Sequence, residues 1–242
     1  MGLVITRKTK RFKYYKIIGI FTNKIGIYML SKAEQEILAL FLRAPYEPHT
    51  VYGIAKKLGM YVSQAQTAVH NLKKKKIISV KKLGNKTSSC TLNFSTADVT
   101  VLAYASIYAK KSFLEKSLKI RLIHDELEKK LGKEVYILLL FGSYAKESAT
   151  SKSDIDLCFI IQDKQEIEEF KSKVKAALST YSYKIHLNVF TAEWFYEMMK
   201  EKDSVGREVL KASIVLRAPD LYYSMVKKYD QESGYSESNI AV

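Results

Sequence analysis

The sequence has few cysteines, no long apolar run and almost no acidic side chains in its first 95 residues. Its two cysteines, Cys90 and Cys158, have no second Cys or His at zinc-site spacing, so we expect neither a disulfide framework nor a zinc finger but two buried thiols. The longest apolar stretch, residues 17–30, is interrupted by three polar residues and falls short of the ~18 residues that cross a bilayer. The basic start is followed by too short an apolar stretch for a secretory signal, so we expect a cytoplasmic protein.

Positive charge is concentrated at one end of the chain. The formal net charge is +15 over 242 residues. Residues 1–95 contain 18 Lys and Arg against three acidic side chains, whereas residues 96–242 contain 22 of each sign. Counterion release favours such a concentration of charge on a polyanion, so nucleic acid is the expected partner of residues 1–95. An anionic membrane surface and a merely solvated basic face are the alternatives, and we expect no membrane partner.

Turn and helix signals divide this first part into a basic arm, residues 1–30, and a compact unit, residues 31–95. Ser31 and Glu34 form a capping box that starts the first of three short helices. Two short β-type runs follow, joined by turn residues at 84–86. Three short helices and a hairpin resemble a winged helix-turn-helix domain, in the form common in archaeal and bacterial regulators.

In winged helices the third helix enters the major groove of DNA and the wing contacts the backbone. The resemblance therefore implies base contacts from the polar face of the third helix, namely Gln64, Gln66, Thr67, His70 and Asn71. It implies phosphate contacts from neighbouring lysines, namely Lys73, Lys74, Lys75, Lys76, Lys81, Lys82 and Lys86. Winged helices also serve as protein-protein modules, and the lysines favour nucleic acid.

Residues 96–131 have a helical pattern, predicted as two helices at about 96–109 and 111–131 that connect the two domains and cover the C-terminal one. The residues that carry chemistry lie directly after these helices. An apolar run at 135–141 predicts a buried strand that leads directly into Gly142 and Ser143.

Ten residues after Ser143, Asp154 and Asp156 stand at the head of a second apolar strand, residues 157–161. Carboxylates at i and i+2 on a strand point to the same face, and their repulsion favours a shared Mg²⁺ or Mn²⁺. Gly142 and Ser143 supply a residue without Cβ, a hydroxyl and free N–H groups, which together suit a phosphate.

Gly-Ser, ten residues, then Asp-x-Asp between apolar strands resembles the DNA polymerase β-type nucleotidyltransferase superfamily, in its minimal branch, over about residues 112–226. The resemblance implies that Gly142 and Ser143 hold the phosphates of a nucleoside triphosphate. It implies that Asp154 and Asp156 bind two Mg²⁺ ions (or Mn²⁺) for transfer of a nucleotidyl group to a hydroxyl acceptor. Ser153 is a further candidate for nucleotide binding, although a turn residue needs no such role.

The fold expected for the whole chain is α+β, with the winged helix followed by a nucleotidyltransferase domain at 132–229, which has a mixed sheet flanked by helices. A frayed tail is expected at 230–242. Lys146 and Glu147 stand where the family usually has Arg-Gly.

The family's third carboxylate belongs on the next core strand, predicted at 184–190. There Ile185, Leu187 and Val189 form the core face, so the candidates for a third ligand are His186, Asn188 and, just beyond, Glu193. His and Asn carry no negative charge at neutral pH, and Glu193 equally fits the start of a helix.

The missing acid leaves three interpretations open. The first is a nucleic-acid-binding nucleotidyltransferase. The second is a non-catalytic DNA-binding regulator with a degenerate nucleotidyltransferase domain. The third is an antitoxin-like protein, because minimal nucleotidyltransferases are often encoded beside a helical HEPN-type partner, which would be a separate protein here. A homodimer is a further candidate assembly.

Overall fold

The computed structural model describes residues 30–82, 88–202 and 204–233. The predicted basic arm up to residue 29, Lys86 in the predicted wing, and residues 234–242 of the predicted tail lie outside the described residues. The remaining elements fall into an N-terminal part, a pair of long helices and a sheet-containing part.

The N-terminal part consists of three helices and a small antiparallel sheet. In chain order the elements are α1 (Lys32–Arg43), β1 (His49–Thr50), α2 (Val51–Leu58), α3 (Val62–Lys74), β2 (Ile78–Lys82) and β3 (Ser88–Leu92). The strands have the order β1-β3-β2, with β3 antiparallel to both neighbours. This arrangement agrees with the helices and hairpin expected from the sequence, and β1 is an addition that the sequence did not indicate.

Local signals explain where these elements begin and end. The Thr50 side chain accepts a hydrogen bond from the Gly53 backbone N–H at 3.0 Å, which caps α2. Gly59 ends α2 in a left-handed conformation with φ 64°. The apolar stripe of α3 is buried, and its members are Ala65, Ala68, Val69 and Leu72. Cys90 and Cys158 are both buried free thiols, as expected.

Two long helices, α4 (Val99–Lys116) and α5 (Leu118–Leu131), follow the N-terminal part. The break between them lies at Ser117, seven residues later than predicted, because the apolar pattern of α4 continues through Leu114, which is buried. Helix α4 packs on α1 and also on the last strand and last helix of the chain. It is therefore a wall common to both parts rather than a cover over the second.

The sheet-containing part has four strands and five helices among the described residues. They are β4 (Ile137–Phe141), α6 (Gly142–Ala145), β5 (Ile155–Ile161), α7 (Ile167–Leu178), β6 (Ile185–Thr191), α8 (Ala192–Met198), α9 (Val205–Lys211), β7 (Ser213–Arg217) and α10 (Pro219–Ser233). The strand order is β6-β5-β4-β7; β4 is antiparallel to β5 and β7, and β5 is parallel to β6. The mixed sheet flanked by helices confirms the expected α+β content.

Two features at the end of the chain differ from the prediction. Strand β7 was not expected, although Ile214, Val215 and Leu216 are a short apolar run that is buried against β4. Helix α10 continues to Ser233, so the first four residues of the predicted tail are helical. Within the described residues, none of the helices is long and apolar enough to cross a membrane.

Candidate active site

The centre of the candidate site is the junction of β4 and β5. The last residue of β4, Phe141, is paired with Asp156 near the start of β5. This antiparallel register brings Gly142, the next residue, directly against Asp156. A Cβ on Gly142 would lie 2.1 Å from Asp156 Oδ2, and Gly142 has φ 67°. The sequence therefore has glycine here for two reasons, the left-handed backbone and the close approach of a carboxylate.

Replacement of Gly142 by alanine should damage the site as well as the backbone. The positive φ alone costs about 1–2 kcal/mol of the free energy of unfolding. The added Cβ also displaces the Asp156 carboxylate, so we expect Mn²⁺ affinity to fall about tenfold, as for other displaced metal-site groups. Isothermal titration with Mn²⁺ and thermal melting measure the two effects.

The matched control for this substitution is Gly59→Ala. Gly59 has nearly the same φ, 64°, but no atom lies within 4 Å of its would-be Cβ. Gly59→Ala should therefore lower the stability by a similar amount and leave Mn²⁺ affinity unchanged. Equal Mn²⁺ affinity in the two variants would contradict the proximity argument.

Asp154 and Asp156 share a face of the chain at the start of β5, and each side chain is 23% exposed. His186 lies against both of them, with Nδ1 3.1 Å from Asp156 Oδ1 and Nε2 3.4 Å from Asp154 Oδ2. Lys184 donates to Asp154 Oδ2 at 2.7 Å. This hydrogen bond holds the pKa of Asp154 below its usual value, so the Asp154 carboxylate is ionised at neutral pH.

The parallel pairing of β5 and β6 separates the three candidates for a third ligand. His186 is paired with Asp156, whereas Asn188 is paired with Cys158, two residues further along the strand, and its amide donates to Leu157 O at 3.4 Å. Glu193 follows Thr191 at the opposite end of β6, about 20 Å from the aspartates at ~3.3 Å per residue. The suggestion that Glu193 is a third ligand is therefore wrong.

Glu193 has the helical role that the sequence also allowed. Thr191 caps α8 by accepting a hydrogen bond from the Trp194 N–H at 3.1 Å, and Glu193 lies in the first turn. The core face of β6 is the predicted one, with Ile185, Leu187 and Val189 packed on the hydrophobic core.

Ser143 and Ser153 occupy different positions relative to the aspartates. Ser143 lies in α6, a helix of only four residues, directly after Gly142. Ser153 closes a turn, because its Oγ accepts a hydrogen bond from the Thr150 N–H at 2.8 Å. The structure thus gives Ser153 the turn role that the sequence allowed as an alternative.

The donor set suits one hard cation with help from a substrate. No cluster of three or more His, Cys, Asp and Glu side chains that would hold a metal by itself is found in the described part of the chain. Mg²⁺, however, is usually bound through one or two carboxylates and substrate phosphates. Asp154 and Asp156 provide that pair of carboxylates, so the residues fit one such ion.

The side chains expected to contact DNA lie on the outside of the N-terminal part. Gln64, Gln66, Thr67 and His70 are exposed, as are Lys73, Lys74, Lys76, Lys81 and Lys82, and Asn71 is half-buried. Lys75 differs from the other lysines, because its ammonium bonds at 2.9 Å to Glu34, a buried carboxylate of α1. Its charge is balanced inside the protein, so Lys75 belongs to the packing of α1 and α3 rather than to a phosphate-binding set.

Lys146 and Glu147 follow the short helix α6 and are each held by an ion pair. Lys146 lies 3.0 Å from Glu208 of α9. Glu147 has a positive φ of 56° and pairs with Arg43 at the end of α1. These pairs hold the chain that leaves Gly142 and Ser143.

A strand that ends in Gly-Ser against an antiparallel strand that begins with paired aspartates defines a class of site built for phosphate and a divalent cation. In agreement with this, residues 106–217 match the family model described as "Polymerase beta, Nucleotidyltransferase". The chain thus contains a polymerase β-type nucleotidyltransferase domain over these residues. The match covers β4 to β7 and most of α4, and it includes the candidate site.

Comparison with whole proteins gives less. None of the curated proteins matches this chain. Among solved structures, a chain from a "Crystal structure of the toxin-antitoxin with AMP-PNP" is 18% identical; the match covers 46% of this chain and 90% of that chain, with a TM-score of 0.29.

Proposed function

We propose that the nucleotidyltransferase domain binds a nucleoside triphosphate with a divalent cation and transfers its nucleotidyl group to a hydroxyl acceptor. The observation that carries this proposal is the contact between Gly142 and the Asp154 and Asp156 pair at the junction of β4 and β5. Asp154 and Asp156 would hold the cation, while Gly142 and Ser143 would hold the phosphates. Bound Mg²⁺ or Mn²⁺ supplies charge that polarises the α-phosphate and stabilises the leaving pyrophosphate.

The reaction is an in-line displacement at the α-phosphorus. The acceptor oxygen forms a bond to the α-phosphorus, its proton passes to solvent, and the bond from the α-phosphorus to the bridging oxygen breaks to release pyrophosphate. Gly142 leaves room for the Asp156 carboxylate beside the phosphates, and Ser143 offers a hydroxyl to them. The domain's part in catalysis is therefore positioning and charge.

We further propose that the N-terminal part is a winged helix that binds duplex DNA. Helix α3 would lie in the major groove, with Gln64, Gln66, Thr67, His70 and Asn71 towards the bases. Lys73, Lys74, Lys76, Lys81 and Lys82 would neutralise phosphates. The support for this is the order of three helices and an antiparallel sheet, the exposed polar face of α3 and the charge excess of residues 1–95. In this arrangement residues 31–95 deliver the protein to DNA and residues 132–229 act there.

A second candidate function is a DNA-binding regulator that binds nucleotide without transferring it. One observation favours it: His186 and Lys184, neither of them acidic, occupy the surroundings of the aspartates where the family's third carboxylate is expected. A cation held by two carboxylates would then bind triphosphate but lack full coordination for the reaction. An antitoxin-like role, with a separate HEPN-type protein as partner or acceptor, remains compatible with either function.

Transfer of label separates the two functions. With the full-length protein, Mn²⁺ and α-³²P-ATP, an enzyme transfers label to the protein, to added DNA or to a co-purified partner, whereas a regulator binds ATP and transfers none. Because the third carboxylate is missing, we expect weak or no transfer by the wild type. Retention of [α-³²P]AMP on an acceptor, measured after denaturing electrophoresis, is the readout.

Restoring an acid at the right position should strengthen the site. His186→Asp places a third carboxylate beside Asp154 and Asp156, and we expect Mn²⁺ affinity to rise about tenfold, with transfer increasing in parallel. Asn188→Asp is the matched control, because it adds the same charge on the same strand face but two residues further along. Strong wild-type transfer that survives His186→Ala would show that a third acid is unnecessary and would overturn this part of the proposal.

A further inference from the structure

A lysine outside the sequence motif lies beside the candidate site. Lys119, in the first turn of α5, is half-buried, with Nζ 4.6 Å from the ring centroid of Tyr183 and 5.4 Å from that of Tyr144. Tyr144 follows Ser143 directly in α6, and Tyr183 precedes Lys184. The two rings therefore hold the ammonium between the phosphate-binding turn and the start of β6.

The position of Lys119 is not what helix energetics favour. A cation in the first turn faces the positive end of the helix dipole, which costs about 0.3–1 kcal/mol. Cation–π contacts with two rings offset this cost. A residue that breaks a local rule and is nevertheless held in place by its neighbours is a candidate for a functional role.

Lys119 also differs from the other cations around the site in its charge balance. Lys146 bonds to Glu208 at 3.0 Å, and Lys184 bonds to Asp154 at 2.7 Å. For Lys119, the contacts seen among the described residues are the two rings and no carboxylate. Its charge nevertheless reaches Asp154, whose pKa it helps to lower after the larger effect of Lys184. An ammonium near the aspartates without an acidic partner is placed to receive an anion.

We propose that Lys119 binds the β- and γ-phosphates of the nucleoside triphosphate, with Tyr144 and Tyr183 as positioning residues. This inference rests on the proposed nucleotide-binding function and adds a residue to it. A point charge on the triphosphate tail stabilises the leaving pyrophosphate without help from Lys146, which Glu208 holds. The predicted consequence is discrimination: Lys119 contributes to binding of a triphosphate and not to binding of a monophosphate.

The experiment compares ATP with AMP in the full-length protein with Mn²⁺. Lys119→Met should weaken ATP binding about tenfold or more, as expected for loss of a charge-assisted hydrogen bond, and change AMP affinity less than about twofold. Lys119→Arg should retain ATP affinity within about threefold, because it keeps the charge. Lys129→Met, in the last turn of the same helix, removes an exposed lysine remote from the motif and is the matched control.

The outcomes separate the inference from the proposed function. If Lys119→Met binds ATP as tightly as Lys129→Met does, or weakens ATP and AMP equally, the assignment of Lys119 to the β- and γ-phosphates is overturned while nucleotide binding stands. If the wild-type protein binds neither nucleotide, the proposed function fails and this inference fails with it. Inorganic triphosphate as a competitor gives a second measure, since Lys119→Met should reduce its affinity by the same factor as that of ATP.

Discussion

Asp154→Asn combined with Asp156→Asn should abolish Mn²⁺-dependent ATP binding. The two substitutions preserve shape but remove both negative charges that a cation would share, so we expect the affinity for ATP in the presence of Mn²⁺ to fall more than ~100-fold. The loss should disappear when Mn²⁺ is omitted, because the remaining binding then rests on direct contacts alone. Fluorescence titration with a labelled ATP, with and without Mn²⁺, measures both quantities.

The control is Asp125→Asn combined with Asp220→Asn, two exposed aspartates on α5 and α10 away from the motif. This double variant changes the net charge by the same amount and should bind ATP as the wild type does. Binding of duplex DNA should be unaffected in both double variants. Unchanged ATP affinity after loss of Asp154 and Asp156 would refute the assignment of the site.

Reversal of four exposed lysines should nearly eliminate duplex binding. The lysines are Lys73, Lys74, Lys81 and Lys82, all replaced by Glu. If each neutralises one phosphate, the slope of log affinity against log salt should become shallower by about 3.6, and affinity near 0.1 M salt should fall about 1,000-fold or more. Fluorescence anisotropy with a labelled duplex over a range of salt concentrations gives both numbers.

A matched set tests whether position or total charge matters. Lys152, Lys164, Lys175 and Lys202 are exposed lysines of the sheet-containing part, and their replacement by Glu changes the net charge equally. This set should cost far less affinity, because long-range attraction is screened within about 8–10 Å at such salt. Equal losses from the two sets would mean that the protein attracts DNA by net charge rather than through the proposed winged helix.

Much of the candidate site was predictable from the sequence because it depends on short-range rules. A strand-length apolar run before Gly142, and the i and i+2 spacing of Asp154 and Asp156, fix which side chains share a face. The register of β4 and β5 then follows from a turn of limited length. The core face of β6 was predictable for the same reason, since its alternation places Leu187 and Val189 inward.

The direction of β6 was not predictable from local pattern. Only the parallel pairing with β5 shows that His186 and Lys184 lie beside the aspartates and that Glu193 is at the far end of the strand. Strand β7 was missed because five residues that pair with a distant strand have no periodicity of their own. Lys119 was missed since its role depends on two tyrosines from other elements, which no spacing along the chain reveals.

Helix α4 has a consequence for how the protein unfolds. Its buried side chains contact α1 on one side and β7 and α10 on the other, and Lys110 donates to Leu216 O of β7 at 3.1 Å. Removal of the first 95 residues would therefore uncover an apolar face of α4 that the sheet-containing part does not cover alone. The two parts are thermodynamically linked through this helix: a ligand that stabilises either one against unfolding raises the melting temperature of both.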